Sequence, residues 1–311
     1  MKPLCHNEIY GCWATLLLPL HKDDSINYRL LEKEIDLYVQ SNVNGIYSNG
    51  TACEFYTQTE EEYIKINDML AQKCESAKMP FQVGAGHMSP QISLERIKKA
   101  VKWKPSAIQV ILSDWSPMAT DEAVACLQKM EVAADGIGLI LYNPPHAKTV
   151  LSPEQIAFIK DKVPALQGVK VLDGDDTWYK KVNSLLPDIS VFVPGHRLAS
   201  GYSKGAKGSY SNIACLNPKA ASLWYNLMTK DIHKALEIEK HILTFMTECI
   251  LPYIKLGYQG QACDKFMAAV GGFIDIDPKL RWPYKSIPTS EIQTVREKSQ
   301  LLLKDFLSLK D

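Results

Sequence analysis

Short apolar runs alternate along this chain with segments whose apolar residues recur at helical spacing. The runs cover residues 13–19, 45–50, 81–86, 107–112, 138–142, 166–174, 189–193 and 208–213. Each is strand length. Between the first two, Leu30, Leu31, Ile35, Tyr38 and Val39 fall on one face of a helix spanning 28–41. Thr59 before Glu60, Glu61 and Glu62 is an N-cap with carboxylates in the first turn, and Ser89-Pro90 opens the following helix. Strands and helices alternating about every 25–35 residues predict βα units around a parallel sheet. Eight such units over residues 1–215 predict an α/β fold of the closed (β/α)8 type, a TIM barrel. An open doubly wound sheet is the alternative, but the first strand-to-helix turn carries no G-x-G-x-x-G. After Pro218 the pattern turns helical, over 223–251, 256–270 and 290–309. Residues 216–311 are therefore expected as a C-terminal helical extension packed on the barrel as one structural unit.

Composition narrows the functional classes. The formal net charge is zero and no basic stripe is present, which argues against a nucleic-acid partner. No apolar stretch is long enough to span a bilayer, and the first residues lack a secretory apolar core, so a cytoplasmic protein without membrane association is expected. The eight cysteines are scattered with no C-x-x-C pair, as expected of reduced thiols.

The chemistry centres on Lys170, set into the sixth apolar run. A lysine there cannot reach water as a surface lysine does, and burial disfavours an ammonium ion. A neutral amine attacks carbonyl carbon, so Schiff-base formation is the candidate reaction. The plain alternative is an ion pair with Asp173 or Asp175. In a barrel the active site gathers at the C-terminal ends of the strands. Those ends supply Thr15, the loop Asn49 to Glu54, His87, Ser113-Asp114-Trp115, Tyr142-Asn143, Lys170, His196-Arg197 and Ser211-Asn212. An amine, a phenol that moves protons and donors for a carboxylate together suit carbonyl chemistry.

Three motifs occur in order: Gly50-Thr51-Ala52-Cys53-Glu54, Tyr142-Asn143-Pro144-Pro145 and Gly168-Val169-Lys170. The chain thereby resembles the dihydrodipicolinate synthase / N-acetylneuraminate lyase family, as a divergent member. The resemblance implies a barrel, usually tetrameric, that acts on pyruvate or another 2-oxo acid without a cofactor beyond the covalent imine. It implies that Lys170 forms the Schiff base and Tyr142 shuttles protons. Thr51 and the amides of its loop, Ala52 included, would hold the 2-oxo acid carboxylate, with Trp115, His146, His196 and Ser211 as further substrate-binding candidates. Departures accompany the match. Ala52 replaces a hydroxyl residue, Cys53 replaces a glycine, and Trp115 stands where the synthases use a tyrosine in the proton relay. Ala147 falls where they bind the second substrate through an arginine.

The expected function is a Schiff-base aldolase or lyase that makes or breaks a carbon–carbon bond, with a sugar-derived 2-oxo acid favoured. The alternatives are 4-hydroxy-tetrahydrodipicolinate synthase proper and a 2-oxo acid binding protein without turnover. A homo-oligomer, tetramer or dimer, is expected. His87, His146 and His196 could in principle surround a Zn²⁺. No H-x-H pair or clustered acidic ligands accompany them, and no metal site is expected. Glu54 is read as orienting its loop through backbone hydrogen bonds, and Cys53 as a small packing residue.

Overall fold

A computed structural model describes residues 1–113 and 115–310, so Asp114 of the Ser113-Asp114-Trp115 segment lies outside the described residues. Eight strands form the sheet: β1 (Gly11–Thr15), β2 (Gly45–Ser48), β3 (Phe81–Gly84), β4 (Ala107–Val110), β5 (Leu139–Tyr142), β6 (Leu166–Lys170), β7 (Ser190–Phe192) and β8 (Gly208–Tyr210). Each pairs in parallel with the next, and β1 closes on β8 with Trp13 opposite Tyr210. The expected TIM barrel is what forms. Its helices are α1 (Tyr28–Gln40), α2 (Glu60–Ala77), α3 (Pro90–Trp103), α4 (Thr120–Ala133), α5 (Pro153–Lys162), α6 (Asp176–Leu185), α7 (Leu198–Lys204) and α8 (Asn212–Leu216).

Side chains alternate across each strand, which divides the apolar residues into two cores. Cys12, Ala14 and Ile46 face the helices and join the larger core between barrel and helical ring. Trp13, Tyr47, Ile140, Phe192 and Tyr210 point inward and fill the barrel. Buried phenols need partners. Tyr47 donates to Gln109 Oε1 and Tyr210 to Gln82 Oε1, both inside the barrel.

The strands are shorter than their apolar runs. β1 ends at Thr15, and Leu16, Leu17 and Leu18 continue as fully buried connecting chain. The eighth run stops at Tyr210 because Ser211 turns the chain, its Oγ accepting from Ala214 N to cap α8. The C-terminal helices also differ from expectation. The stretch expected as one helix over 223–251 is α9 (Pro218–Lys230) and α10 (Ile232–Phe245), separated at Asp231, whose extended backbone and side chain cap α10. A π-turn over Met246–Ile250 then leads to α11 (Leu251–Lys255), where Pro252 has no N–H to give. Gly257 adopts φ +80°, and α12 (Gly260–Gly271) begins after it. The chain closes with α13 (Ile292–Leu302) and α14 (Lys304–Leu307). Among the described residues no helix is long and apolar enough to cross a membrane.

Candidate active site

A cavity of about 830 Å³ opens at the C-terminal ends of the strands. Its floor is built by two neighbouring strand ends. Tyr142 and Lys170 are paired in register as the last residues of β5 and β6, and both line the cavity. Lys170 Nζ lies 4.0 Å from the centroid of the Tyr142 ring and 5.3 Å from that of Tyr210. Gly168 lets β6 pack closely against β5 and β7: a Cβ there would sit 2.9 Å from both Ser190 O and Ile140 Cδ1.

Lys170 is half-buried rather than sealed in the strand, because β6 ends at it and the chain beyond leaves the sheet. Among the described residues it makes no ion pair with Asp173 or Asp175. Asp173 accepts from the Tyr179 hydroxyl at 2.8 Å, and Asp175 caps α6 through Trp178 N at 2.7 Å. The plain alternative for Lys170 is thereby set aside.

The loop after β2 forms one wall. Asn49 takes φ +53° at its start, held by side-chain hydrogen bonds from Asn67 (2.7 Å) and to Gln58 (2.6 Å). Gly50 follows because a Cβ would lie 2.4 Å from the Tyr47 ring. Cys53 N and Glu54 N bond back to Gly50 O and Thr51 O. The amides of Thr51 and Ala52 make no hydrogen bond among the described residues, and both residues line the cavity. Two free N–H groups beside a threonine hydroxyl are a carboxylate receptor. Cys53 is fully buried, and burial pushes its thiol up to about 12, so it packs and does not face a ligand.

Glu54 departs from expectation: among the described residues its carboxylate bonds the C-terminal segment and not the backbone of its own loop. It is wholly buried, and its Oε1 meets Lys265 Nζ of α12 at 2.5 Å while Oε2 accepts from Arg281 N at 2.8 Å. Lys265 gives its other two protons to Leu18 O and Lys279 O, both at 2.7 Å. Burial pulls the Lys265 pKa below the ordinary lysine value, with Glu54 opposing. Arg281 adds a two-pronged pair with Glu62 at 2.8 Å on both arms. The C-terminal segment is thus tied to the loop that carries Thr51 and Ala52.

That segment also furnishes much of the cavity wall. Gln259, just before α12, and Gln261 and Asp264 within it line the cavity, with Tyr284 and Lys285 beyond. Burial pushes the Asp264 carboxyl up to about 7, the positive Lys170 working against the shift. Sequence reasoning passed over Asp264. The available signal was two adjacent charges, Asp264-Lys265, inside a helix otherwise apolar from Ala262 to Val270.

The remaining candidates are spread out. His146 is exposed on the rim and lines the cavity. Trp115 is 78% exposed and lies outside the lining. His196 backs the site: its Nδ1 is 2.9 Å from Asn212 Nδ2, and it is Asn212 that reaches the cavity. Burial lowers the His196 pKa. Ser211 is buried as the α8 cap, with Asn212 taking the position expected of it. His87 turns onto its own loop, Nδ1 accepting from Ser89 N at 2.9 Å. Among the described residues no three His, Cys, Asp or Glu side chains converge on a common point.

The model of the dihydrodipicolinate synthetase family matches residues 8–297. A 4-hydroxy-tetrahydrodipicolinate synthase of Macrococcus caseolyticus is 27% identical over 235 residues, covering 74% of this chain and 75% of its own. N-acetylneuraminate lyase 2 of Escherichia coli is 23% identical, covering 75% and 76%. Among solved structures, a prophage protein of the dihydrodipicolinic acid synthase family from E. coli K12, in complex with pyruvate, superposes with a TM-score of 0.83. It is 15% identical and covers 94% of this chain and 98% of its own.

Proposed function

This chain belongs to the dihydrodipicolinate synthetase family, and from that premise we propose that it is a Schiff-base lyase acting on pyruvate or a related 2-oxo acid. The observation that carries the reading is the in-register pair of Tyr142 and Lys170 on the cavity floor, beside the free amides of Thr51 and Ala52. The carboxylate of the 2-oxo acid accepts from those amides and the Thr51 hydroxyl, which places its keto carbon over Lys170. The amine adds to that carbon, Tyr142 passes protons to and from the departing oxygen, and water leaves as the imine forms. The protonated imine then draws electrons from the adjacent carbon, so a carbon–carbon bond there can form or break.

The second substrate meets a mixed wall. Met88, Ile111 and Phe55 are apolar, while Asn212, Gln259 and Gln261 offer hydrogen bonds. Amide side chains grouped along one wall favour a polyhydroxylated, sugar-derived 2-oxo acid. Ala147 cannot clamp a distal carboxylate, which weighs against 4-hydroxy-tetrahydrodipicolinate synthesis. A homo-oligomer would cover the exposed Trp115, a point that light scattering after gel filtration decides. Borohydride reduction with pyruvate present tests the mechanism. The wild type should gain one pyruvate-derived adduct at Lys170 by intact mass and peptide mapping, and Lys170→Ala should gain none while melting like the wild type. A wild type that gains no adduct refutes the Schiff base. An adduct with no cleavage or addition in a screen of 2-oxo acids and aldehydes would favour a binding protein.

A further inference from the structure

Resting on that reading, we propose that Asp264 is a catalytic acid–base residue that moves the proton on the carbon next to the imine. Three observations place it. Asp264 lines the same cavity as Lys170, close enough for the lysine's charge to act on its carboxyl. It makes no hydrogen bond or ion pair among the described residues, so its oxygens are available to a ligand. Its position is fixed from both sides. The next residue, Lys265, locks α12 to Glu54 and two carbonyls, and Gly271 lets the helix press so close to Leu216 O that a Cβ would stand 1.7 Å from it.

The chemistry asks for such a group. Converting an imine to an enamine needs a base that takes a carbon-bound proton and later returns it, best served by a proton affinity near ambient pH. Burial brings the Asp264 carboxyl to about 7. Trp115 cannot serve, since indole only donates and its side chain lies outside the cavity lining. In the step, the Asp264 carboxylate removes a proton from C3 of the Lys170-bound 2-oxo acid. The C–H pair becomes the C2–C3 double bond, and the C–N π pair returns to nitrogen. The products are a neutral enamine and a protonated Asp264. In the reverse direction the acid returns the proton to C3. The titratable groups facing Asp264 are Lys170 from β6, Cys215 from α8 and Cys263 on α12 itself. Burial raises both thiols far above neutrality, Cys263 to about 12, so neither thiol titrates alongside Asp264.

Pyruvate in D2O tests this without knowledge of the second substrate. Methyl hydrogen exchange is followed by proton NMR, with borohydride trapping on the same samples. The wild type should trap pyruvate and exchange its methyl protons, faster as pH rises through about 7. Asp264→Asn and Asp264→Ser should still trap pyruvate at Lys170 but exchange about 100-fold more slowly or worse, the scale of general acid–base catalysis. Asp264→Glu should recover part of the rate. Thermal melts confirm folding, and with two variants one misfolded protein does not decide the matter. Either folded variant exchanging within threefold of the wild type overturns the assignment, as does a wild type that traps pyruvate without exchanging it. Loss of trapping together with exchange also overturns it, since Asp264 would then support Lys170 instead. A wild type that does not trap pyruvate sinks the Schiff-base reading itself, which separates the two failures.

Discussion

Replacing Lys265 with methionine should destabilise the protein sharply. The ammonium and the Glu54 carboxylate are both fully buried. Methionine fills much of the same space but leaves Glu54 with a single donor, Arg281 N, and strips Leu18 O and Lys279 O of theirs. Removing one partner of a buried ion pair costs about 3–5 kcal/mol. The two orphaned carbonyls push the figure towards the upper end, and local relaxation brings it back, so about 4 kcal/mol is expected. At roughly 2 °C per kcal/mol for a large domain, the melting temperature should fall by about 8 °C. Circular dichroism melts and urea titrations measure this directly. Glu54→Gln in the same background removes the uncompensated charge, so the double variant should be more stable than the sum of the single losses by about 2 kcal/mol. Because the clamp holds the loop of Thr51 and Ala52, pyruvate trapping by Lys265→Met should also need more pyruvate. A variant that melts within 2 °C of the wild type, or single effects that simply add, would refute the account of Lys265 as the tie between α12 and that loop.

Two further outcomes follow from the geometry. Tyr142→Phe should keep pyruvate binding and lose about 100-fold or more in turnover, because the ring packing survives while the proton carrier does not; unchanged turnover would assign the proton to another group. Glu34 is fully buried, accepts from Leu17 N at 2.9 Å, and is pushed by burial up to about 8. The folded chain therefore keeps a proton that the unfolded chain gives up above its ordinary value of 4.5. Stability should fall as pH rises from about 4.5 to about 8 and level off beyond, by an amount on the order of a few kcal/mol. Asp264, raised to about 7, adds to the same slope, so Glu34→Gln should reduce it in melts across the range, and an unchanged slope would show that Glu34 does not contribute.

The pattern of apolar runs contained the barrel, since strands buried on both sides of a closed sheet leave a signal local enough to read. It also placed Lys170, Tyr142, Thr51 and Ala52 at strand ends, where barrel geometry alone brings them to one mouth. The proposed carbonyl chemistry starts from that amine and phenol together with the family resemblance, because a lysine at a strand end could equally have served an ion pair. What the linear chain could not contain was the far wall. Asp264 is 94 residues beyond Lys170 in number, on a helix whose direction depends on a glycine turn, and Lys265 meets Glu54 211 positions away. Such meetings carry no periodicity and no motif. Likewise His196 and Ser211 stand at the expected strand ends, yet Asn212 is what enters the cavity, because Ser211 turns inward to cap α8. Local sequence decides which elements form and which end of each faces the mouth. Only the packing of those elements decides which side chains stand at the mouth, because contacts between distant segments fix where each one ends.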